Sequence, residues 1–311
     1  MYYLGIDLGG TNIAVGIVDE DNKIIARATS KTKLDSAEQV ADAMAETARA
    51  ALAAASITLD DVPWIGVGSP GTINKSTGII EFANNLPFKN TPMVQMLSQR
   101  LDGKKVLMEN DANACAYAEC FFGEGRMCKD FLYLTVSNSI GGALCLNGEI
   151  YTGAWGEAGE FGMCPAEDLL EKNAAVRRPL ELLASGRGLS DNYYRLKGLP
   201  NGRRIHAAVL ERYAQRGDAA AIQAFELEGT YLGRAIAHAA FLLNPRKVVL
   251  GGGLSLLFDT YKSSLMDTLR CEMKRLPDGM PEVKATSLGY HGALLGAAAL
   301  VLKVQQTEKG G

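Results

Sequence analysis

One arrangement of short strands and small-residue turns occurs twice in this chain of 311 residues. Residues 2–28 alternate apolar strand segments with a glycine turn and an Asx turn, and residues 131–152 repeat the same order. An internal duplication of this kind predicts two similar α/β domains with a cleft between them. We expect an N-terminal domain over residues 1–116, onto which a helix at about 292–304 packs back, and a C-terminal domain over residues 117–291.

The first glycine turn has the composition of a phosphate-binding turn. Gly9 and Gly10 allow the backbone to bend sharply and to bring its N–H groups close to an anion. Thr11 adds a hydroxyl donor, and Asp7 places a carboxylate where the preceding strand ends. A carboxylate beside a phosphate is stable when Mg²⁺ lies between them. An ordinary hairpin is the alternative interpretation of this stretch.

A glycine pattern of the dinucleotide-binding type, G-x-G-x-x-G, occurs at Gly66, Gly68 and Gly71. A true dinucleotide fingerprint opens a helix. Here Pro70 and Thr72 predict a turn and a further strand instead. We therefore expect no dinucleotide site at this position.

A strand at residues 105–108 delivers a polar sequence, residues 109–113, to its C-terminal end, where α/β proteins build their sites. Asp111 in this sequence could serve as a general base or as the N-cap of the helix that follows it. The loop at residues 79–91, which contains Asn84, is rich in amide side chains with aromatic neighbours. Such a loop could line a sugar site or simply be solvated.

Composition excludes several function classes. The chain is 47% hydrophobic and 22% charged, with a net charge of −3, which is typical of a globular protein and favours neither nucleic acid nor an anionic membrane. No apolar run is long enough for a bilayer, and the N-terminus shows no signal-peptide pattern. The six cysteines form no CxxC pair and are expected to be reduced thiols in a cytoplasmic protein.

Taken together, the motifs resemble those of the ROK family, which comprises sugar kinases and sugar-responsive repressors of the hexokinase and actin-like ATPase superfamily. The resemblance covers about residues 3–303, and it implies two ribonuclease H-like domains. Four ordered motifs carry it: Asp7-x-Gly9-Gly10-Thr11, Glu109-Asn110-Asp111-Ala112-Asn113, Ala158-Gly159-Glu160-Phe161-Gly162 and Gly251-Gly252-Gly253.

The resemblance also implies roles for individual residues. Asp111 would be the catalytic base, and Asp7 would lie near Mg²⁺ through water. The sugar hydroxyls would be bound by Asn84, Asn110, Asp111, Glu160 and Glu181, the last matched through the Ala-Ser-Gly that follows it. ATP would be held by Gly9, Gly10, Thr11, Asn12, Ser137, Asn138, Gly251, Gly252 and Gly253.

Two departures from the family pattern affect these expectations. Met163 stands where the family has a histidine, and residues 164–179 contain one cysteine and no histidine, so we expect no zinc site. That segment is then free to bring Glu167, Asp168, Glu171, Arg177 or Arg178 near the sugar. The second phosphate turn reads Ser137-Asn138-Ser139 instead of Gly-Thr-Gly, which puts fast turnover of ATP in question.

The leading hypothesis is an ATP- and Mg²⁺-dependent kinase of a hexose or hexose-like sugar. The alternatives are a sugar-binding regulator or sensor without efficient catalysis, and a kinase of β-glucoside-type glycosides. The first phosphate motif begins at residue 5, so we expect no DNA-binding segment like that of the family's repressors. The resemblance also implies a homodimer.

Overall fold

The structure is a computed structural model, and it describes residues 2–83, 86, 89–173, 175–200 and 202–310, with side chains as far as residue 304. Among the helices described, none has the length together with the apolar composition that spanning a bilayer requires. The strands are β1 (Tyr3–Leu8), β2 (Asn12–Val18), β3 (Ile24–Lys31), β4 (Trp64–Ser69), β5 (Thr72–Asn74), β6 (Ile79–Phe82), β7 (Lys105–Asn110), β8 (Phe131–Val136), β9 (Ile140–Leu146), β10 (Glu149–Tyr151), β11 (Pro165–Glu167), β12 (Arg177–Pro179), β13 (Lys247–Gly251) and β14 (Glu282–Ala285). The α-helices are α1 (Ala37–Ala55), α2 (Met93–Arg100), α3 (Asp111–Phe122), α4 (Gly186–Leu196), α5 (Ala207–Gln215), α6 (Ala219–Leu243), α7 (Phe258–Glu272) and α8 (Gly292–Gly310).

The chain divides into two units. Unit 1 comprises Met1–Met127, Thr152–Glu157 and Tyr290–Gly311, and unit 2 comprises Cys128–Tyr151 and Ala158–Gly289. The domain boundary expected after residue 116 stays a prediction, and α3 continues across that position.

Each unit contains a five-stranded sheet, and the two sheets have the same topology. The strand order is β3-β2-β1-β4-β7 in unit 1 and β10-β9-β8-β13-β14 in unit 2. In both sheets the first three strands along the chain form an antiparallel meander. The remaining two strands pair in parallel beside it. The predicted duplication of a three-stranded meander is therefore confirmed.

In unit 1 the helices cover both faces of the sheet, because alternate residues of a strand point to opposite faces. Leu4, Ile6 and Leu8 of β1 belong to one core with the apolar face of α1. The serine that precedes the alanine-rich residues 37–55 is typical of a helix N-cap, and Ser36 has that role in the structure, where its Oγ accepts a hydrogen bond from Gln39 N at 3.2 Å.

The opposite face of the same sheet holds α8, and this contact explains the dinucleotide-like glycine pattern. A Cβ on Gly66 would lie only 1.7 Å from the Ala297 carbonyl oxygen, and one on Gly5 would lie 2.5 Å from that of Leu294. The glycines thus let the backbone of α8 approach the sheet closely. The segment after Gly68 continues into strands β5 and β6, as predicted, and opens no helix.

In unit 2 the long helix α6 forms the centre of the core together with α4, α5 and α7. Asp218 is the N-cap of α6. The turn at residues 137–139 and the glycine segment at residues 252–253, both expected to hold the nucleotide, follow β8 and β13.

Candidate active site

The turn between β1 and β2 is held in place by its own backbone and by the residue after β3. Gly9 N donates to Asn12 O at 3.0 Å, which closes the turn. Thr32 donates twice, from its Oγ1 to Gly9 O at 2.7 Å and from its N to Thr11 O at 3.0 Å. The turn is therefore preorganised, with the predicted residues Thr11 and Asn12 exposed on it and Gly10 half-buried.

A lysine side chain lies beside this turn. Lys31, at the end of β3, donates from Nζ to Asn12 Oδ1 at 2.8 Å. Lys31 lies in a strand whose sequence carries no functional motif, so its place beside the turn is visible only in the structure. Its position suits an anionic ligand at the turn.

Asp7 and Asp111 are close enough for their charges to interact within unit 1. Burial and, to a smaller extent, the Asp111 carboxylate raise the pKa of Asp7, Arg27 partly opposes both effects, and the resulting pKa is about 6. Asp7 lies near the end of β1, while Asp111 directly follows β7. The two strands flank β4 in parallel, so their carboxyl ends lie at the same edge of the sheet.

The N-cap of α3 is Asn110, so the alternative role of Asp111 as the cap is wrong. Asn110 Oδ1 accepts from Ala112 N at 2.9 Å and from Asn113 N at 3.3 Å, and Asn110 Nδ2 donates to Gly71 O at 3.1 Å. Asp111 is the first residue of the helix, and its Oδ1 accepts from Ala112 N at 2.8 Å. Burial raises the pKa of Asp111, and hydrogen bonds from the backbone partly lower it.

Glu109 holds the junction between β7 and α3 in place by hydrogen bonds, a role that its motif did not predict. It is 4% exposed, and its Oε1 accepts from Asn110 N at 2.9 Å and from Asn113 Nδ2 at 3.1 Å. Its Oε2 forms an ion pair with Lys75 Nζ at 2.5 Å. The sequence feature that could have predicted this role is a glutamate near the C-terminal end of a strand with an apolar centre, because a buried charge needs partners. Lys75 lies 34 residues earlier and carried no signal of its own.

In unit 2 the structure brings the second predicted turn beside the glycine segment. Strands β8 and β13 run in parallel with Thr135 opposite Gly251, so the residues that follow both strands emerge together. Gly252 has φ +79°, and a Cβ there would lie 2.4 Å from Val136 O. Only glycine fits this close crossing without strain.

Hydrogen bonds fix the second turn as well. Ser137 N donates to Ser139 O at 2.9 Å, and Ser137 O accepts from Gly186 N, the first residue of α4, at 2.6 Å. The exposed Asn138 accepts at its Oδ1 from Arg204 Nη1 at 3.1 Å. Sequence analysis missed Arg204, which lies in the segment between α4 and α5 and brings a guanidinium group to this turn.

Glu160 and Glu181 also lie in one neighbourhood. The 3₁₀ turn Phe161–Met163 packs on the 3₁₀ turn Leu180–Leu182, and a Cβ on Gly162 would be 3.4 Å from Glu181 Cβ. Glu160 is exposed and Glu181 half-buried. Met163, in the position of the family's histidine, has 60% of its surface exposed.

Two other expectations have different outcomes. Asn84 lies outside the described residues. Asp168 is 1% exposed and its carboxylate is enclosed in ion pairs with Arg178 and Arg195. The expectation that a residue of this segment comes near the sugar stays a prediction. The described part of the chain contains no group of three or more His, Cys, Asp or Glu side chains arranged to hold a metal ion.

These features define a class of protein. Both units have a sheet of the same topology, built on a three-stranded meander. In unit 1 the strand ends carry carboxylates and a glycine turn, and in unit 2 they carry two turns without charged residues. This is the α/β architecture of the two-domain, ribonuclease H-like actin-like ATPases.

Comparison with known proteins identifies the family. Residues 3–304 match the sequence profile of the ROK family, and the chain belongs to that family. It is 33% identical over 316 residues to the glucokinase of Thermotoga maritima, covering 96% of each chain. It is 30% identical over 315 residues to the N-acetyl-D-glucosamine kinase of Haemophilus influenzae, covering 97% of this chain and 99% of that one.

A solved structure agrees with the sequence relatives. The ROK family glucokinase from Streptomyces griseus, in complex with glucose and AMPPNP, has a TM-score of 0.75 with 30% identity. The match covers 96% of this chain and 99% of that chain. Both the expected family and the expected fold class are therefore confirmed.

Proposed function

We propose that this chain transfers the γ-phosphoryl group of ATP to a hydroxyl of a hexose or hexose-like sugar, with Asp111 as the base. The chain is an ATP-dependent carbohydrate kinase of the ROK family, and relatives named glucokinase and N-acetyl-D-glucosamine kinase align with nearly its whole length. The assignment of individual residues is our proposal and rests on the geometry within each unit.

The observation that carries the proposal is the environment of Asp111. A sugar hydroxyl becomes a good nucleophile only when a nearby base accepts its proton as attack proceeds. Asp111 is half-buried at the start of α3, and the burial of its carboxyl group raises its pKa toward the range in which a base works well. The Ala112 N–H holds one of its oxygens in place.

For the nucleotide we propose three turns. Gly9, Gly10, Thr11 and Asn12 would bind phosphate oxygens in unit 1. In unit 2, Ser137 and Asn138 would form the second phosphate turn, with Gly251, Gly252 and Gly253 beside the nucleotide. Preorganised N–H groups and hydroxyls at strand ends suit phosphate, and Lys31 and Arg204 add positive charge near the two turns.

Magnesium fits the carboxylates of unit 1. The charge of Asp111 raises the pKa of Asp7, and this repulsion is what a divalent cation would relieve. Oxygen ligands are those that Mg²⁺ prefers, and it commonly uses one or two carboxylates together with water and phosphate oxygens. Asp7 would hold the ion through water. When bound, the ion would neutralise charge on the transferred phosphoryl group.

For the sugar we propose Asn84, Asn110, Glu160 and Glu181 alongside Asp111. Each carboxylate can accept hydrogen bonds from two adjacent hydroxyls, which matches the spacing of groups on a sugar ring. The close packing of the turns that carry Glu160 and Glu181 supports a shared role. No zinc is expected, and a magnesium requirement, a homodimer, a cytoplasmic location and the lack of a nucleic-acid partner stay predictions.

The test is Asp111→Asn in a coupled assay of ADP release across a panel of sugars. We expect turnover to fall by at least about 10²-fold, the low end of what a positioned base contributes, while calorimetry shows sugar affinity within a few-fold of wild type. Asp259→Asn is the control, because Asp259 is an exposed aspartate in the first turn of α7. Near-wild-type turnover in Asp111→Asn would exclude Asp111 as the base.

The sugar itself is decided by the same panel. The exposed, apolar Met163 favours a non-glucose hexose or a β-glucoside-type glycoside, because an apolar side chain discriminates poorly between hydroxyl patterns. We expect glucose to be weaker than the best of N-acetylglucosamine, mannose, allose, fructose and cellobiose. A lead for glucose in kcat/KM of about tenfold or more would contradict this. Sugar binding without ADP release from any sugar would favour the regulator or sensor.

A further inference from the structure

The segment between Glu160 and Glu181 forms a hairpin whose base joins these two residues. Strands β11 and β12 pair in antiparallel register, with Pro165 opposite Pro179. One residue beyond that pair, Leu180 N donates to Cys164 O at 2.9 Å. The turns that carry Glu160 and Glu181 thus leave the same hydrogen-bonded base, so the register of the hairpin sets their relative position.

Beyond β11 the hairpin carries a group of charges around the buried Asp168, which we name the Asp168 cluster: Asp168, Glu171, Arg178 and Arg195. Arg195 Nη1 lies 3.0 Å from each carboxylate oxygen of Asp168, and Arg178 Nε lies 2.8 Å from Asp168 Oδ2. Glu171 Oε1 is 3.1 Å from Arg195 Nη2 and 3.4 Å from Arg178 Nη2. Two carboxylates and two guanidinium groups thus form a closed, charge-balanced ring.

The Asp168 cluster ties the hairpin to the helical core of unit 2. Asp168 and Glu171 lie in the hairpin loop and Arg178 on β12, whereas Arg195 belongs to the last turn of α4. Next to the cluster, Leu169 N donates to the hydroxyl of Tyr231 on α6 at 2.9 Å. Asp168 Oδ1 also accepts from Leu170 N at 3.1 Å.

A carboxylate as deeply buried as Asp168 is stable only when it is paired and hydrogen-bonded. Removing its charge would leave Arg195 and Arg178 without their buried partner, while the hydrogen bonds of two three-residue strands would remain. Such short strands hold register weakly by themselves. The charges, more than the ladder, therefore specify how the hairpin sits on α4 and α6.

We propose that Asp168 is a positioning residue for the sugar, because the Asp168 cluster locks the hairpin in the register that keeps Glu160 and Glu181 side by side. This inference rests on the proposed function, in which these two glutamates bind sugar hydroxyls. The Asp168 cluster occupies the segment in which the sequence offers no zinc ligands, and it fastens the hairpin by charge and hydrogen bonds, beside the apolar packing of Ala166 and Leu169 on the core.

The test compares Asp168→Asn with Glu167→Gln. Glu167 is the neighbouring residue of the same hairpin, but its ion pair with Arg234 is at the surface, with 37% of both side chains exposed, and such pairs contribute little. In Asp168→Asn we expect KM for the best sugar to rise by about tenfold or more, with KM for ATP within about twofold and kcat largely kept, as for loss of uniform substrate binding. Glu167→Gln should match wild type.

Amide hydrogen exchange over residues 164–182 of the sugar-free protein gives a second readout. It should accelerate in Asp168→Asn and stay unchanged in Glu167→Gln. If Asp168→Asn fails to fold, Glu171→Gln removes the charge of the cluster's partly exposed carboxylate and should show the same split between sugar and ATP with a smaller change.

Unchanged exchange, or equal rises of KM for sugar and for ATP, would overturn the proposal. A wild type that phosphorylates no sugar would contradict the proposed function instead. In that case the exchange experiment would still decide whether the Asp168 cluster fastens the hairpin.

Discussion

Glu228 in helix α6 is the strongest predicted determinant of how stability depends on pH. Its side chain is fully buried, at 0% exposure, and neither carboxylate oxygen has a hydrogen-bond partner among the residues that the structure describes. Burial raises the pKa of Glu228 well above 4.5. Glu228 also contributes to the raised pKa of the buried Tyr261 on α7. The core of unit 2 thus contains a carboxyl group that favours its neutral form.

The sign of the effect follows from proton linkage. Below pH 4.5 the carboxyl group is protonated in both the folded and the unfolded state, so the folded state carries no penalty for a charge. As pH rises above 4.5, the unfolded chain ionises first, and each pH unit removes about 1.36 kcal/mol of stability until the raised folded pKa is reached. Between pH 4.5 and 7 the loss amounts to at most about 3.4 kcal/mol.

The experiment compares Glu228→Gln with wild type in urea unfolding at half-unit steps from pH 4.5 to 8. Glutamine keeps the shape of the side chain but cannot ionise, so the variant should gain stability relative to wild type as pH rises. Glu226→Gln is the control, since Glu226 is exposed on the same helix two residues away. A difference between Glu228→Gln and wild type that does not change with pH, or that changes in the opposite direction, would refute the reasoning.

Two further predictions concern the proposed nucleotide turns. The affinity of the wild type for magnesium–ATP should fall as pH is lowered through about 6, because Asp7 then takes up a proton. In calorimetry from pH 5 to 8, Asp7→Asn should bind magnesium–ATP weakly at every pH. A wild-type affinity that stays constant over this range would argue against a role for Asp7. Gly252→Ala should destabilise the protein by about 1–3 kcal/mol in urea unfolding, since its backbone is at φ +79° and ψ 178° and its Cβ would collide with Val136 O. Gly253→Ala is the control, because a Cβ there meets nothing within 4 Å, and equal losses in the two variants would disprove the explanation.

Local patterns were sufficient to predict most of the fold. The two meanders depend on strand periodicity and on turn residues a few positions apart, and the start of α1 at Ser36 depends on a cap within one turn. The position of Asp111 at a strand end followed from the same kind of pattern. Its alternative role as an N-cap was wrong because the residue before it, Asn110, has the better geometry to cap and a side-chain oxygen that reaches two helix N–H groups.

Interactions between distant residues could not be predicted. Arg204 reaches Asn138 across 66 positions of sequence, and neither residue carries a pattern that identifies the other. The same is true of Asp168 and Arg195, 27 positions apart. Their charges were visible in the sequence, but only the packing of the hairpin on α4 and α6 determines which of them are buried together and which face solvent.

The two sheets share a topology but differ in the charges at their strand ends, and this difference supports the division of roles between the units. In unit 1, carboxylates stand at the ends of β1 and β7, where Asp7 and Asp111 lie. In unit 2, the residues after β8, β13 and β14 are serine, asparagine, glycine and threonine, without an acidic group. A triphosphate is repelled by carboxylates unless a cation lies between them. We infer that the strand ends of unit 2 suit direct contact with phosphate through neutral donors, whereas in unit 1 the turn at Gly9–Asn12 can hold phosphate beside the carboxylates only when magnesium lies at Asp7.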